Sequence, residues 1–243
     1  MAELAQRTIV VTGGAGGIGR ECIPIFLAQG AKLLLVDPNE AGLAEVAAEF
    51  AGAGEITTVV STMEDVAECR RVLAAVEGPL YGLVHLAGIF KKDLEGADDP
   101  TVWDVAISSN LKNAYDMAHV FVERADADVD SRMVFISSLA FNRGAPAHVP
   151  YSVAKGGITS LVRALSRKLA PAMLVNGLAP GLINTSMPAE ILAERGDTVL
   201  HEIPLGRLGH PRETATVIDF LLGPGSSYIT GQIINVDGGI ING

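Results

Sequence analysis

The chain has 243 residues, of which 49% are hydrophobic and 19% are charged, with a formal net charge of -10 and a mean hydropathy of +0.34. The negative charge, with no cluster of lysine or arginine to offset it, would repel phosphate backbones and argues against a nucleic-acid partner. No apolar run approaches the roughly 18 residues that span a bilayer, and no secretory signal pattern opens the chain, so we expect no membrane association and a cytoplasmic location.

Short β-branched segments alternate with longer amphipathic segments along the whole sequence. The predicted strands are, in chain order, RTIVVTGG, AKLLLVD, EITTVV, YGLVHLAG, SRMVFISS, MLVNGLAPG and QIINVDGG. Predicted helices lie between them, and two long ones cover residues 101–124 and 151–170. Near-continuous apolar strands separated by helices are typical of a parallel sheet covered on both faces. The sequence therefore predicts a doubly wound α/β sheet, with residues 1–243 forming one domain.

One irregular segment interrupts this alternation at residues 182–212. Its short helical patterns are broken by Pro188, Gly196 and Pro204. A segment of this kind after the end of a strand is more often a lid or binding loop than a structural element. We therefore predict a substrate lid over residues 182–212.

The first predicted strand runs directly into TGGAGGIG, residues 12–19, and a helix follows. Gly13, Gly17 and Gly19 allow a tight turn and the close approach of a pyrophosphate to the helix N-terminus. Asp37 ends the second strand 18 residues after Gly19, where a carboxylate binds an adenosine ribose diol and repels a 2′-phosphate. Because DPNE supplies no arginine, this Rossmann-type arrangement predicts NAD rather than NADP as the cofactor.

A candidate acid–base pair lies in the segment PYSVAKGG. Tyr151 precedes Lys155 by four residues, a spacing that stacks the phenol and the ammonium on one face of a helix. A tyrosine that works as a base near neutral pH needs about 4 kcal/mol of preferential stabilisation of its anion, and a neighbouring cation supplies part of it. Ser138 ends SRMVFISS, at the carboxyl end of a strand, where open α/β sheets bind their ligands.

Several motifs occur together in a family-specific order. TGGAGGIG, LAGI, SSNLKNAY, ISS, YSVAK, NGLAPGLINT and ITGQIINVDGG resemble the corresponding segments of the short-chain dehydrogenases/reductases, and the match covers essentially the whole chain. The resemblance implies a hydride transfer between a nicotinamide cofactor and a small-molecule alcohol or ketone, without a metal.

The same resemblance implies roles for individual residues. Tyr151 would donate or accept the proton, and Lys155 would lower the pKa of Tyr151 and bind the nicotinamide ribose. Ser138 would hold the substrate oxygen, and Asn110 would hold a water that links Lys155 to solvent. The residues implied to bind the cofactor are Gly13, Gly17, Ile18, Gly19, Asp37, Ala87, Gly88, Tyr151, Lys155, Pro180, Gly181, Ile183 and Thr185.

Two segments depart from the family pattern. His85 and Leu86 replace the usual pair of asparagines, and Thr62-Met63 replaces the usual Asp-Val after the third strand. Both segments flank the adenosine in the family. We interpret His85 as a hydrogen-bonded structural histidine rather than a catalyst.

The stretch between Ser138 and Tyr151 resembles the substrate wall of the family. Its apolar residues Leu139, Phe141 and Ala145 indicate a largely apolar pocket. Two polar residues in it could meet an acid or a polar head group, namely Arg143 and His148.

Two alternatives to an NAD-dependent alcohol or ketone oxidoreductase remain open. One is an NADPH-dependent 3-oxoacyl-(acyl-carrier-protein) reductase, and the other is a non-catalytic dinucleotide-binding sensor. The acidic segment ERADADVDSR weakens the first, and the complete reactive set weakens the second. The resemblance also implies a homotetramer, with the helices at residues 101–124 and 151–170 packed against their symmetry mates.

Overall fold

Seven parallel strands form one sheet in the computed structural model, which describes residues 4–94, 96–126, 130–187 and 189–241. Their order across the sheet is β3-β2-β1-β4-β5-β6-β7. The strands are β1 (Thr8–Thr12), β2 (Lys32–Asp37), β3 (Ile56–Val60), β4 (Leu80–His85), β5 (Ser131–Ile136), β6 (Met173–Pro180) and β7 (Ile233–Val236). Each of these strands overlaps a predicted one, and the doubly wound α/β fold is confirmed.

Nine α-helices connect the strands in the described part of the chain. They are α1 (Gly17–Ala28), α2 (Glu40–Glu49), α3 (Val66–Leu73), α4 (Thr101–Ile107), α5 (Asn113–Arg124), α6 (Ala140–Arg143), α7 (Val149–Leu169), α8 (Ala189–Arg195) and α9 (Pro211–Leu222). The predicted helix at residues 101–124 consists of α4 and α5 joined by a π-helical turn, Ser108–Lys112. The predicted helix at residues 151–170 corresponds to α7.

The two faces of the sheet are each covered by helices, as the apolar strands predict. Side chains alternate along β1, so that Val10 packs in a core with residues of α3, α5 and α7, whereas Ile9 and Val11 pack in a second core with residues of α1, α2 and α9. Burial of both faces explains why every residue of β1 and β4 is buried. Because helices cover both faces of the sheet, a ligand can bind only at the ends of the strands.

The sheet changes its winding direction between β1 and β4. These two strands are neighbours, with Thr12 opposite His85 at their carboxyl ends, but the chain leaves β1 toward β2 and leaves β4 toward β5. Ligands of open α/β sheets bind in the crevice at such a point. The loop after β1 and the turn after β4 therefore form the floor of one crevice.

The segment predicted as a lid contains two short helical pieces. These are α8 and a 3₁₀ segment, Gly196–Glu202. The N-terminal end of α9 already lies at Pro211, so the irregular segment ends slightly before the predicted residue 212. Pro188, one of the predicted helix breakers, lies outside the described residues. Nowhere in the described ranges is a helix both long and apolar enough to cross a bilayer.

Candidate active site

The glycine-rich loop makes a turn so tight that side chains would not fit at its key positions. Gly13 has a φ of +70°, and a Cβ on it would lie 3.0 Å from the backbone of Ala87. A Cβ on Gly19 would lie 2.4 Å from the carbonyl oxygen of Gly13. Gly16, the N-cap of α1, has no side chain to bind the first turn, and a helix N-terminus of this kind attracts phosphate groups.

Asp37 closes one end of the crevice with a firmly held carboxylate. Its Oδ2 accepts a hydrogen bond from the backbone N–H of Ala15 at 3.1 Å, and its Oδ1 accepts one from that of Asn39 at 2.9 Å. Arg20 lies nearby on α1, but its guanidinium binds Glu45 at 2.6 Å. The glycine loop and Asp37 are therefore joined into one rigid unit with a negative charge at its edge.

Tyr151 and Lys155 occupy the first turns of α7 and point into the same crevice. Both side chains are buried, and Lys155 Nζ lies 5.6 Å from the centroid of the Tyr151 ring. Lys155 Nζ also donates a hydrogen bond to the carbonyl oxygen of Ile136, at the end of β5, at 2.9 Å. Ser138, two residues beyond Ile136, hydrogen-bonds the Tyr151 hydroxyl. The phenol, the Ser138 hydroxyl and the ammonium therefore lie in the same part of the crevice.

Burial is the main cause of the pKa shifts of Tyr151 and Lys155. It raises the pKa of Tyr151, and the hydrogen bond with Ser138 opposes that rise. Burial also lowers the pKa of Lys155 to about 8. Desolvation of the Tyr151 anion therefore outweighs the hydrogen bond with Ser138. That Lys155 lowers the pKa of the phenol stays a prediction.

Asn110 lies in the π-helical turn between α4 and α5. Its Nδ2 donates to the carbonyl oxygens of Ile89 at 3.1 Å and Ala106 at 2.9 Å, and its Oδ1 accepts from the N–H of Ile89 at 3.1 Å. A Cβ on Gly88 would lie 2.4 Å from Asn110 Oδ1 and 3.4 Å from Lys155 Nζ. The missing side chain of Gly88 is what allows Asn110 and Lys155 to approach the same turn. Such π-turns are frequent at functional sites.

A second segment folds back onto the glycine loop from the end of β6. Gly181 packs so closely on the residue after β7 that a Cβ would lie 2.8 Å from the Cα of Asp237. Ile183 forms a bridge with Gly209, which directs the chain toward α1. A Cβ on Gly17 would lie 2.6 Å from the methyl carbon of Thr185. This segment therefore covers the crevice and contacts its glycine-rich side.

These elements enclose one cavity of about 530 Å³. It extends from Asp37 and the glycine loop to Ser138 and Tyr151. Every predicted site residue except Asn110 lines it, and Asn110 lies behind Gly88. The lining residues that we predicted are Gly13, Gly17, Ile18, Gly19, Asp37, Ala87, Gly88, Ser138, Tyr151, Lys155, Pro180, Gly181, Ile183 and Thr185.

The chain is similar to known proteins over nearly its full length. A family model described as enoyl-(acyl carrier protein) reductase matches residues 13–241. A solved structure of a short-chain dehydrogenase/reductase from Brucella melitensis, described as a glucose/ribitol dehydrogenase, superposes with a TM-score of 0.94 at 37% identity and covers 99% of both chains. The chain belongs to the short-chain dehydrogenase/reductase family. It is therefore an oxidoreductase of a family that binds NAD(P).

Curated relatives in this family include reductases of 3-oxoacyl thioesters. The 3-oxoacyl-[acyl-carrier-protein] reductase FabG of Thermotoga maritima is 31% identical over 244 residues, with 98% of this chain and 99% of the relative covered. The acetoacetyl-CoA reductase of a Synechocystis species is 32% identical over 240 residues, with coverages of 97% and 96%. A solved structure described as an NAD(P)-dependent gluconate 5-dehydrogenase of Beutenbergia cavernae, with NADP bound at low occupancy, has a TM-score of 0.91 at 32% identity and covers 98% of both chains.

His85, one of the departures from the usual motif of this family, is a buried structural residue in this short-chain dehydrogenase/reductase. Its Nδ1 lies 3.0 Å from the hydroxyl of Thr12, and that hydroxyl accepts a hydrogen bond from the N–H of Ala87 at 3.2 Å. Burial lowers the pKa of His85 to about 3, so the imidazole is neutral near pH 7. The neutral ring links the ends of β1 and β4, in agreement with the structural role that we inferred.

The wall after β5 differs in part from the expectation. Leu139 and Ala145 line the cavity, whereas Phe141 is absent from its described lining. Arg143, considered for an acidic substrate, binds Glu202 of the segment predicted as a lid at 2.6 Å. His148, also considered for the pocket, is buried behind the lining and stacks on Phe90.

The sequence interpretation missed Phe90, which lines the cavity beside Tyr151. Its signal was a bulky aromatic residue two positions after Gly88, in the segment LAGIF. The interpretation also missed Asn113, which is buried and lines the same cavity. The described residues contain no group of three or more His, Cys, Asp or Glu side chains that could hold a metal ion.

Proposed function

We propose that this short-chain dehydrogenase/reductase transfers a hydride between NAD(H) and an alcohol or ketone, with Tyr151 as the acid/base. The observation that carries this proposal is the single cavity that joins the glycine loop and Asp37 to the converging hydroxyls of Ser138 and Tyr151. A non-catalytic sensor would need only the first part of that cavity.

The described residues fit a dinucleotide. Gly13 and Gly19 have no space for side chains, so the backbone itself faces the crevice at the N-terminus of α1, where a pyrophosphate binds favourably. Asp37 would accept hydrogen bonds from the adenosine ribose, and Lys155 would bind the nicotinamide ribose. Pro180, Gly181, Ile183 and Thr185 would surround the nicotinamide.

The protein's own residues control the proton. When bound, the reduced nicotinamide supplies a hydride to the carbonyl carbon, and the oxidised form accepts one from the alcohol. The Ser138 hydroxyl orients the substrate oxygen, and Tyr151 donates its phenolic proton to that oxygen during reduction. Burial keeps Tyr151 protonated, which suits this donor role, while the Lys155 cation stabilises the phenolate that remains.

Residues 182–212 are proposed as the substrate lid of a domain that comprises residues 1–243. Leu182, Met187 and Ile191 line the cavity from this segment. Glu202, farther along, binds Arg143 of α6 and so connects the segment to the wall opposite. A cover over the substrate excludes water from the reacting atoms.

Reduction of a 3-oxoacyl thioester is the second candidate function. The curated relatives at 31% and 32% identity are named for such reactions, and their substrates also present a ketone to the enzyme. The same proton chemistry would serve both candidates, so they differ in what the outer part of the cavity accepts.

A substrate panel tests the proposed activity. We expect the protein to reduce simple ketones with NADH, and to oxidise the corresponding alcohols with NAD, in an assay of nicotinamide absorbance. Acetoacetyl-CoA and each substrate with NADPH should be measured in parallel. A clear preference for acetoacetyl-CoA would favour the second candidate, and turnover of no compound with either cofactor would contradict both.

The roles of Tyr151 and Lys155 can be separated by substitution. Tyr151→Phe removes only the proton-transferring hydroxyl, so turnover should fall by about 10²–10⁴-fold while cofactor affinity stays nearly constant. Lys155→Ala should also weaken cofactor binding. Its residual alcohol oxidation should shift to higher pH, because the phenol would ionise without the cation.

Cofactor titration by fluorescence and pH-rate profiles measure these effects. The wild-type ammonium is charged below its pKa of about 8, so its assistance should decline as the pH rises above that value. Tyr228→Phe and Lys168→Ala, both at exposed positions, are matched controls. Near-normal turnover of Tyr151→Phe, or an unchanged affinity and pH profile of Lys155→Ala, would show that the roles are wrong.

Asp37 should determine the preference for NADH over NADPH. Asp37→Ser removes both the repulsion of a 2′-phosphate and the acceptor of the ribose diol, and Asp37→Asn removes mainly the charge. Each substitution should lower the ratio of kcat/KM with NADH to kcat/KM with NADPH. We expect a decrease of roughly ten-fold, because a like-charge contact with the 2′-phosphate is lost. Asp99→Ser, at an exposed carboxylate, serves as the control. The interpretation of Asp37 is refuted if the unmodified protein uses NADPH as well as NADH.

A homotetramer is proposed for the assembly. Large apolar side chains are exposed on the helices that we expect at the interfaces, namely Trp103, Tyr115, Val122, Val149 and Val153. An obligate interface of this kind buries more than about 2,000 Å². Light scattering at micromolar concentration should give about four times the chain mass of 25.3 kDa. A monomer under these conditions would contradict the proposal.

A further inference from the structure

Phe90 lies at the point where a substrate must contact the protein. Its ring lines the cavity and meets the ring of Tyr151 at 86°, with 4.9 Å between the centroids. A substrate oxygen that receives a proton from Tyr151 must come within about 3 Å of its hydroxyl. A group attached to the reacting carbon is then close to the Phe90 ring.

The orientation of Phe90 is determined by a buried histidine behind it. The imidazole of His148 stacks on the ring, with 3.8 Å between the centroids and 12° between the planes. The His148 backbone is itself held, since its N–H donates to Ala145 at 2.8 Å and its carbonyl oxygen accepts from the N–H of Ser152 at 3.0 Å. Phe90 therefore forms a wall that is in place before a ligand binds.

Much of the remaining lining of the cavity is also apolar. These apolar lining residues include Ile89, Leu139, Leu182 and Met187. Among the described lining residues the charged ones are Asp37, at the opposite end, and Lys155, whose Nζ binds a backbone carbonyl. The Arg143 guanidinium is held by Glu202. A carboxylate or a polyol bound here would lose its hydration without gaining enough partners.

We propose that Phe90, oriented by His148, is the residue that determines substrate specificity. On this basis the site accepts ketones and alcohols whose groups beside the reacting carbon are apolar and uncharged, in preference to polyols and carboxylates. The inference rests on the proposed oxidoreductase activity and specifies its substrate class. An aromatic wall favours flat or extended apolar groups, because these cover the ring face without burying a polar atom that lacks a hydrogen-bond partner.

The test compares three ketones of different polarity with NADH and the full chain. Cyclohexanone is the apolar ketone, dihydroxyacetone the polyol analogue and acetoacetate the carboxylate. The variants are Phe90→Ala and Phe90→Leu, and Leu94→Ala is the control because Leu94 lies four residues farther along the same loop with an exposed side chain. Fluorescence titration with NADH confirms that each variant is folded and binds cofactor.

The wild-type protein should have its highest kcat/KM with cyclohexanone. Phe90→Ala should lower that value by roughly ten-fold or more, mainly through KM, as for other apolar pocket contacts. The kcat/KM of Phe90→Leu with cyclohexanone should lie between the values of the wild type and Phe90→Ala. The value of Leu94→Ala should match that of the wild type. The rates with dihydroxyacetone and acetoacetate should change little in any variant.

Two results would overturn the inference while leaving the proposed activity in place. One is a wild-type protein that reduces dihydroxyacetone or acetoacetate as efficiently as cyclohexanone. The other is a Phe90→Ala variant that loses the same factor with all three ketones. Turnover of no alcohol, ketone or thioester with either cofactor would instead overturn the proposed activity, and this inference with it.

Discussion

The close approach of three elements at Gly88 is the constraint on which the site depends. The turn after β4 lies so near the π-helical turn and α7 that a Cβ on Gly88 would meet both Asn110 and Lys155. A side chain larger than hydrogen would collide with Asn110 Oδ1, 2.4 Å from that Cβ, and would disturb its hydrogen bond with the N–H of Ile89. The approach is stabilised on both sides, because Asn110 binds the backbone of Ile89 and Lys155 binds the carbonyl oxygen of Ile136.

Burial of Lys155 and Tyr151 illustrates a conflict between stability and chemistry. Both groups would be more easily ionised in water, and the interior shifts their pKa values in opposite directions, upward for the phenol and to about 8 for the ammonium. Burial therefore favours the neutral form of each group more than water does, although with a pKa of about 8 Lys155 stays mainly charged near pH 7. Burying a phenol and a cation is unfavourable for folding, but it suits the proposed transfer of a proton at a site that excludes water.

The two ends of the cavity differ in their origin. The end proposed for the cofactor is built largely from backbone and from glycine, so its chemistry is common to many proteins with this topology. The end proposed for the substrate is built from side chains of three separate segments, which follow β4, β5 and β6. Phe90 and Leu139 belong to two of them, and Met187 to the third. Substitutions in these three segments leave the sheet intact. The segments can therefore vary in ways that change which substrates bind.

The sequence by itself determined the fold and most of the site. Apolar strands of β-branched residues must be buried on both faces, which requires helices between parallel strands, and the carboxyl ends of such strands are the ligand-binding edge. The positions of Gly13, Asp37 and Ser138 at those ends follow directly. A tyrosine and a lysine four residues apart on a helix must share a face, so their pairing was also predictable.

Only the tertiary structure decided which neighbours modify these residues. Phe90 and His148 are 58 positions apart in sequence, and no periodicity predicts that their rings stack beside Tyr151. The pKa of Tyr151 is raised rather than lowered because burial, which depends on packing from several segments, outweighs the local effects. Arg143 was available to an acid in the sequence and is held by Glu202 in the fold. Local spacing determines what lies along one element, whereas contacts between elements depend on how the whole chain packs.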